Sequence, residues 1–162
     1  MTPTPATPVE RFLRRAIELA YDNARSGAGG PYGAVIAIED EVLYEAANQV
    51  TARNDPTAHA EIVAIRGACH KLGNFQLHDA VLYSSCEPCP MCLGAIYWAR
   101  LAAVYYACDR FDAAAAGFDD RFIYDEIAAS PAARRIPMQR IALTERDRPF
   151  LAWQQCHTRI DY

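Results

Sequence analysis

At 162 residues, 52% hydrophobic and 22% charged, the chain is no disordered polypeptide and is long enough to bury one core. A net charge of -4 and a pI near 5.5 oppose general attraction to a phosphate backbone, argue against a nucleic-acid substrate and favour a small neutral one. No run of about 18 apolar residues offers a membrane span, and Met1 to Pro8 has neither a basic start nor an apolar stretch, so one cytoplasmic domain over 1–162 is expected, with 1–6 flexible.

Thr7-Pro8-Val9-Glu10 combines a capping Thr, a proline suited to the first helical position and a Glu three residues after the Thr. A helix is predicted from there. Its apolar stripe is Val9, Phe12, Leu13, Ala16, Ile17 and Ala20, and glycines from Gly27 end it. Ala34 to Ile38 and Val42 to Ala47, separated by Glu39-Asp40-Glu41, predict an antiparallel hairpin. His59 to Leu72 is apolar nearly all round and predicts a buried helix stopped by Gly73. Val81 to Tyr83, Met91 to Trp98 and Ala103 to Ala107 then alternate strand, helix, strand, the pattern of parallel pairing. Asp119 or Asp120 can cap a helix toward Ala129, Ile136 to Leu143 predicts a fifth strand, and Phe150 to Ile160 a terminal helix.

Three of the six cysteines, Cys86, Cys89 and Cys92, lie too close together to join distant parts of a fold, so reduced thiols are expected. Pro88-Cys89-Pro90-Met91-Cys92 begins thirty residues after His59-Ala60-Glu61, counted to Cys89, and together they fit the H-x-E, P-C-x-x-C signature of zinc deaminases. Near a helix start, a spacing of three points both sulfurs to one side. Two thiolates and a neutral imidazole leave one tetrahedral position on a single Zn2+ for water, as in a catalytic site. Unsatisfied N–H groups at the helix start favour thiolate over thiol.

Glu61 is the acid that ligates nothing. At the head of an apolar helix it needs compensation, and a water to deprotonate makes it a general base and then a general acid. His59 and Glu61 converge only if the helix begins at His59, since residues two apart do not share a helix face. Taken alone, Cys-x-x-Cys equally fits a structural zinc ribbon or a redox pair, and a lone His or a first-turn Glu is more often structural. A ferredoxin-like reading of Cys86, Cys89 and Cys92 fails at Ile96 and Tyr97, where that pattern needs Cys and Pro. Cys86 is read as a packed thiol behind the site.

Gly29-Gly30-Pro31-Tyr32-Gly33-Ala34, Asn54 to Glu61, Ser85 to Arg100 and Ala116-Gly117-Phe118-Asp119-Asp120 resemble the bacterial guanine deaminases of the cytidine-deaminase superfold. The zinc motifs mark only the superfamily; the Gly-Phe-Asp-Asp run and the final Tyr162 point to guanine. The resemblance implies a three-layer αβα sandwich around a five-stranded mixed sheet, a homodimer, and hydrolysis of guanine to xanthine and ammonia. It assigns Glu61 and Asp120 to catalysis and His59, Cys89 and Cys92 to zinc. It also assigns Asn48, Tyr32, Ala60, Asp120 and Tyr162 to the purine. Tyr32 stands where the family usually has Phe. The segment from about 130 to 162 is implied to cross to the partner subunit, so that Asp120 and Tyr162 act in trans. By pattern alone, Asp120 equally reads as a helix cap, Asn48 as a turn residue and Tyr162 as a chain end.

Three rivals stay open on the sequence. A tRNA adenosine deaminase shares the zinc motifs but needs basic and stacking groups for an anticodon loop, and acidic residues nearly balance Arg from Asp120 to Tyr162. A deaminase of cytosine or an aminotriazine would differ in a few pocket contacts. A binding module with a structural zinc would turn nothing over.

Overall fold

Thr7 opens the first helix in the computed structural model, which describes residues 7–162; the expectation of a flexible 1–6 lies outside them. Its side chain accepts from the Glu10 backbone while the Glu10 carboxylate accepts from the Thr7 backbone, the capping box that the sequence predicts. Helix α1 (Pro8–Ser26) then buries Phe12, Ala16 and Ala20, one stripe of its surface. Strands β1 (Gly33–Ile38) and β2 (Glu41–Ala47) form the expected antiparallel hairpin. A short helix α2 (Val50–Arg53) leads to α3 (Ala60–Leu72), strand β3 (Ala80–Cys86), helix α4 (Pro90–Trp98), strand β4 (Ala103–Cys108) and helix α5 (Arg110–Ala115).

The sheet order is β2-β1-β3-β4. β3 pairs with β1 antiparallel and with β4 parallel, so the sheet is mixed, and β3 lies inside it with both ladders occupied. Side chains alternate between its faces. Val35, Ala37 and Tyr83 meet Phe12 and Ala16 of α1, whereas Ala34, Ile36 and Leu82 join Val63, Ala64 and Ala68 of α3 and Ile96 of α4. The three layers of the expected sandwich follow from this alternation. Gly33 lets α1 approach: a Cβ there would stand 2.2 Å from the Ala16 carbonyl oxygen and 2.8 Å from the Ala20 nitrogen.

The chain divides into two compact units, one ending at Asp120 and the other Arg121–Tyr162. In the second, α6 (Arg121–Ala128) starts directly after Asp120 as expected, a 3-10 turn covers Pro131–Ala133, and α7 (Arg148–Gln155) closes the helices. Within it the Arg134 guanidinium donates to the Glu126 carbonyl and the Arg135 backbone to the Glu126 carboxylate.

Two expectations are corrected. The sheet has four strands, not five, because residues 136–143 pair with no strand among the described residues, and an extended segment is a strand only when its N–H and C=O groups meet another edge. The terminal helix stops at Gln155, not Ile160; Cys156 turns extended and donates its backbone N–H to the Trp153 carbonyl. Among the described residues no helix is long and apolar enough to cross a membrane, and no cysteine is in a disulfide.

Candidate active site

His59 is the cap of α3 and not its first turn: its backbone is extended, and its carbonyl accepts from Val63. That one-residue difference from a helix starting at His59 matters. With His59 extended outside the helix and Glu61 in its first turn, the two side chains converge on Cys92, whose Sγ lies 3.6 Å from each. The preceding loop is fixed by Asp55, whose carboxylate accepts from the Thr57 N–H at 2.8 Å and the Thr57 hydroxyl at 2.7 Å. Those bonds, hydroxyl first, hold the Asp55 carboxyl below its usual range.

Cys89 caps α4 in the same way, with Pro90 at the first helical position and Cys92 one turn on. The helix thus begins one residue before the expected Met91 and ends at Trp98 as expected. Cys89 and Cys92 Sγ are 3.6 Å apart, and His59 Nδ1 lies 3.5 Å from Cys89 and 3.6 Å from Cys92. Among the described residues these three are the group of His, Cys and acidic side chains whose donor atoms converge, all within 4.8 Å of one another. A tetrahedral zinc with Zn–S of about 2.3 Å and Zn–N of about 2.0–2.1 Å requires S···S of about 3.8 Å and S···N of about 3.6 Å. The observed triangle fits. Hydrogen bonding from Cys92, then from His59, draws the Cys89 thiol down to about 4. The same bond and burial hold Cys92 above the ordinary thiol range.

Glu61 is 4% exposed. Its Oε2 lies 3.6 Å from Cys92 Sγ, and its Oε1 accepts from the Ser84 hydroxyl at 3.1 Å. Burial pushes its carboxyl upward, with the Ser84 bond working against that shift. An acid at this distance from the triad can exchange a proton with whatever occupies the open coordination position.

The other expected residues are placed unevenly. Tyr32 is half-buried, its ring edge-on to Phe118 at 5.3 Å. Burial first, then the charges of Cys86, Glu61 and Asp120, hold its phenol above the usual range. Asp120 is likewise raised, by burial and then by Cys89, so it belongs to the electrostatic neighbourhood of its own chain's triad. This corrects the expectation that it acts in trans: it ends the unit that carries the triad and precedes the segment implied to cross. Ala60 is buried at the head of α3. Asn48 is 7% exposed, and its Oδ1 accepts from the Val50 backbone at 3.2 Å, the turn role that pattern alone suggested. Cys86 is buried, donates toward the Asp109 carbonyl at 3.4 Å and stands outside the triad, as a packed thiol should. Tyr162 belongs to the second unit, where its ring is edge-on to Trp153 at 6.2 Å.

Sequence reasoning missed two residues. Asn23 of α1 donates to both the Gly30 and the Asn48 carbonyls at 2.9 Å, tying the glycine loop to the Asn48 turn; on the polar side of an amphipathic helix it gave no signal. Ser84 was hidden in a strand of small and apolar residues.

The model for the cytidine and deoxycytidylate deaminase zinc-binding region matches residues 6–108. The guanine deaminase of Bacillus subtilis (strain 168) is 54% identical over 153 residues, 94% of this chain and 98% of its own. The X-ray structure of guanine deaminase from Bacillus subtilis superposes with a TM-score of 0.93 at the same coverage. A guanine deaminase structure from Nitrosomonas europaea, 30% identical, gives a TM-score of 0.65 over 72% of this chain and 67% of its own. A tRNA-specific adenosine deaminase from Agrobacterium fabrum is 44% identical over 93 residues, 56% of this chain and 61% of its own.

Proposed function

The chain belongs to the cytidine and deoxycytidylate deaminase zinc-binding family, and from that premise we propose that it hydrolyses guanine to xanthine and ammonia. The observation that carries the choice of purine is coverage. Likeness to the Bacillus subtilis guanine deaminase runs over 94% of the chain, whereas the Agrobacterium fabrum tRNA-specific deaminase matches 56% of it.

His59, Cys89 and Cys92 are the residues that would hold zinc, and their triangle has the size it needs. When bound there, zinc supplies the Lewis acidity that makes water a nucleophile near neutral pH. Glu61 takes a proton from the water attacking guanine C2 and delivers it to ring N3 as that carbon becomes tetrahedral. It then carries the second proton to the departing amine, so that C2–N breaks, C2=O forms and ammonia leaves. Burial raises the Glu61 carboxyl above its ordinary range, the direction that general acid–base work near neutral pH calls for.

Asp120 accepts a purine N–H or assists the last proton transfer, supported by its place in the field of Cys89. Tyr32 lies against the ring with Phe118 behind it. Ala60, at the head of α3, offers its backbone to the purine, and Asn48 offers its side-chain amide donors, its oxygen being engaged with Val50. The active form is a cytoplasmic homodimer in which the segment from about 130 to 162 crosses to the partner and brings Tyr162 over the partner's purine. The absence of any buried residue in 121–162 supports a second copy.

Zinc-loaded protein should release ammonia from guanine, with xanthine as co-product, and not from adenine, cytosine or cytidine. Inosine formed in a tRNA anticodon stem-loop, with guanine left intact, overturns the assignment.

A further inference from the structure

We propose that Ser84 is a positioning residue for the proton shuttle: from β3 its hydroxyl holds one oxygen of Glu61 so that the other faces the Cys92 sulfur and carries the proton. The inference rests on the reading of Glu61 as the shuttle. Its geometry is a short chain of contacts, Ser84 Oγ to Glu61 Oε1 at 3.1 Å and Glu61 Oε2 to Cys92 Sγ at 3.6 Å. Both side chains are closed off from solvent, Ser84 at 1% and Glu61 at 4% exposure.

A glutamate's terminal torsion is broad, so the helix backbone alone does not fix the plane of the carboxylate. A single hydroxyl bonded to one oxygen does. Ser84 is well mounted for this because it pairs with Ala34 of β1 on one side and Tyr106 of β4 on the other, in the interior of the sheet. On the same face of β3, Leu82 is a core residue, so a hydroxyl at 84 interrupts an apolar surface and needs a polar partner there. The partner is the carboxylate itself. With Oε1 accepting from Ser84, Oε2 is the oxygen left facing the Cys92 sulfur. The shuttle is then referenced to the sheet as well as to α3, the helix on which its neighbour His59 is the cap.

The test compares zinc-loaded wild type with Ser84→Ala and Ser84→Thr by steady-state kinetics on guanine, zinc content and unfolding midpoint. Loss of a hydrogen bond to a charged group predicts a kcat for Ser84→Ala lower by about ten- to a hundredfold. KM should stay within about twofold with one zinc per chain, and Ser84→Thr, which keeps the hydroxyl, should recover most of kcat. Unchanged kcat in Ser84→Ala overturns the proposal. So does a fall that follows loss of zinc, or one that Ser84→Thr does not rescue, since each makes Ser84 a packing residue. Should wild type spare guanine but deaminate another nucleobase, the substrate reading fails and the same comparison on that nucleobase still decides Ser84. Wild type inert toward every nucleobase overturns both.

Discussion

Glu61 has no structural employment that would explain a carboxylate at 4% exposure in the head of an apolar helix. Its contacts are a serine hydroxyl and a metal-ligating sulfur. Replacing it should therefore separate binding from chemistry. We expect Glu61→Ala to retain one zinc per chain and lose about 10²- to 10⁴-fold in kcat, the range of general acid–base catalysis. Full turnover in the metal-loaded variant refutes the shuttle. Tyr32 separates ring from hydroxyl: on the proposal that the purine lies against its aromatic face, Tyr32→Phe should leave KM for guanine within about threefold, whereas Tyr32→Ala should raise it about tenfold. At this scale the zinc site was legible because one histidine and two cysteines at fixed spacing carry chemistry that no packing role demands. Ser84 was not, since a serine in a strand looks the same whether its hydroxyl meets water or a carboxylate.

Helix and strand signals were strongest where the backbone itself demanded particular residues. The Thr7 and Glu10 capping box and the Gly73 stop could be read directly, and α1 fell where its apolar stripe put it. Helix α5 was missed although Asp109 and Asp112 make a capping box of their own, because the helix behind it is only six residues long. The fifth strand failed for a different reason: strand pairing is a relation between two segments, and residues 136–143 carry the pattern without the partner. Gly33 gives the sharpest test of how α1 meets the sheet. Gly33→Ala puts a Cβ 2.2 Å from the Ala16 carbonyl, and backbone cannot yield as a flexible side chain would, so a loss of about 3 kcal/mol is expected from urea unfolding.

The bond from α1 to β2 gives the pH test. Arg15 Nε donates to Glu45 Oε2 at 2.9 Å, and the Arg15 bond holds the Glu45 carboxyl below 4.5, its ordinary value. A depressed folded pKa contributes stability above the unfolded value and loses it as pH falls through the folded one. Both side chains are more than a third exposed, so solvent screening keeps the pair below about 1 kcal/mol. Glu45→Gln should then melt about 1–3 °C below wild type at pH 7, and the two curves should converge well below pH 4.5. A difference that persists in acid would mean that Glu45 acts by packing and not by charge.

Across the whole molecule, two dependencies lie outside the polypeptide pattern. The first is metal. Zinc that binds the folded triad and not the unfolded chain stabilises by mass action, so a strong chelator should abolish turnover and lower the melting point by roughly 5–10 °C, with both restored by zinc.

The second, as proposed above, is another copy of the chain. Residues 121–162 form a compact unit in which no residue is buried, while Ile136, Ile141, Phe150 and Ile160 are each at least 65% exposed. A segment of this size rarely supplies a stable core by itself, since below about 70–80 residues a single core seldom contributes more than about 3–5 kcal/mol and staples or a partner usually add the rest. Its cysteine is free, and the zinc donors all precede it. The proposed second copy would cover these residues, and a single sequence does not distinguish apolar residues that pack within one chain from those that pack between two. Light scattering at micromolar concentration should therefore give about 36 kDa, twice the 18.0 kDa of one chain. Polar substitution of Ile141 and Phe150 together should shift the mass toward one chain and carry guanine turnover down with it. A wild-type protein that stays monomeric and fully active at these concentrations would leave Tyr162 without a partner's purine to cover.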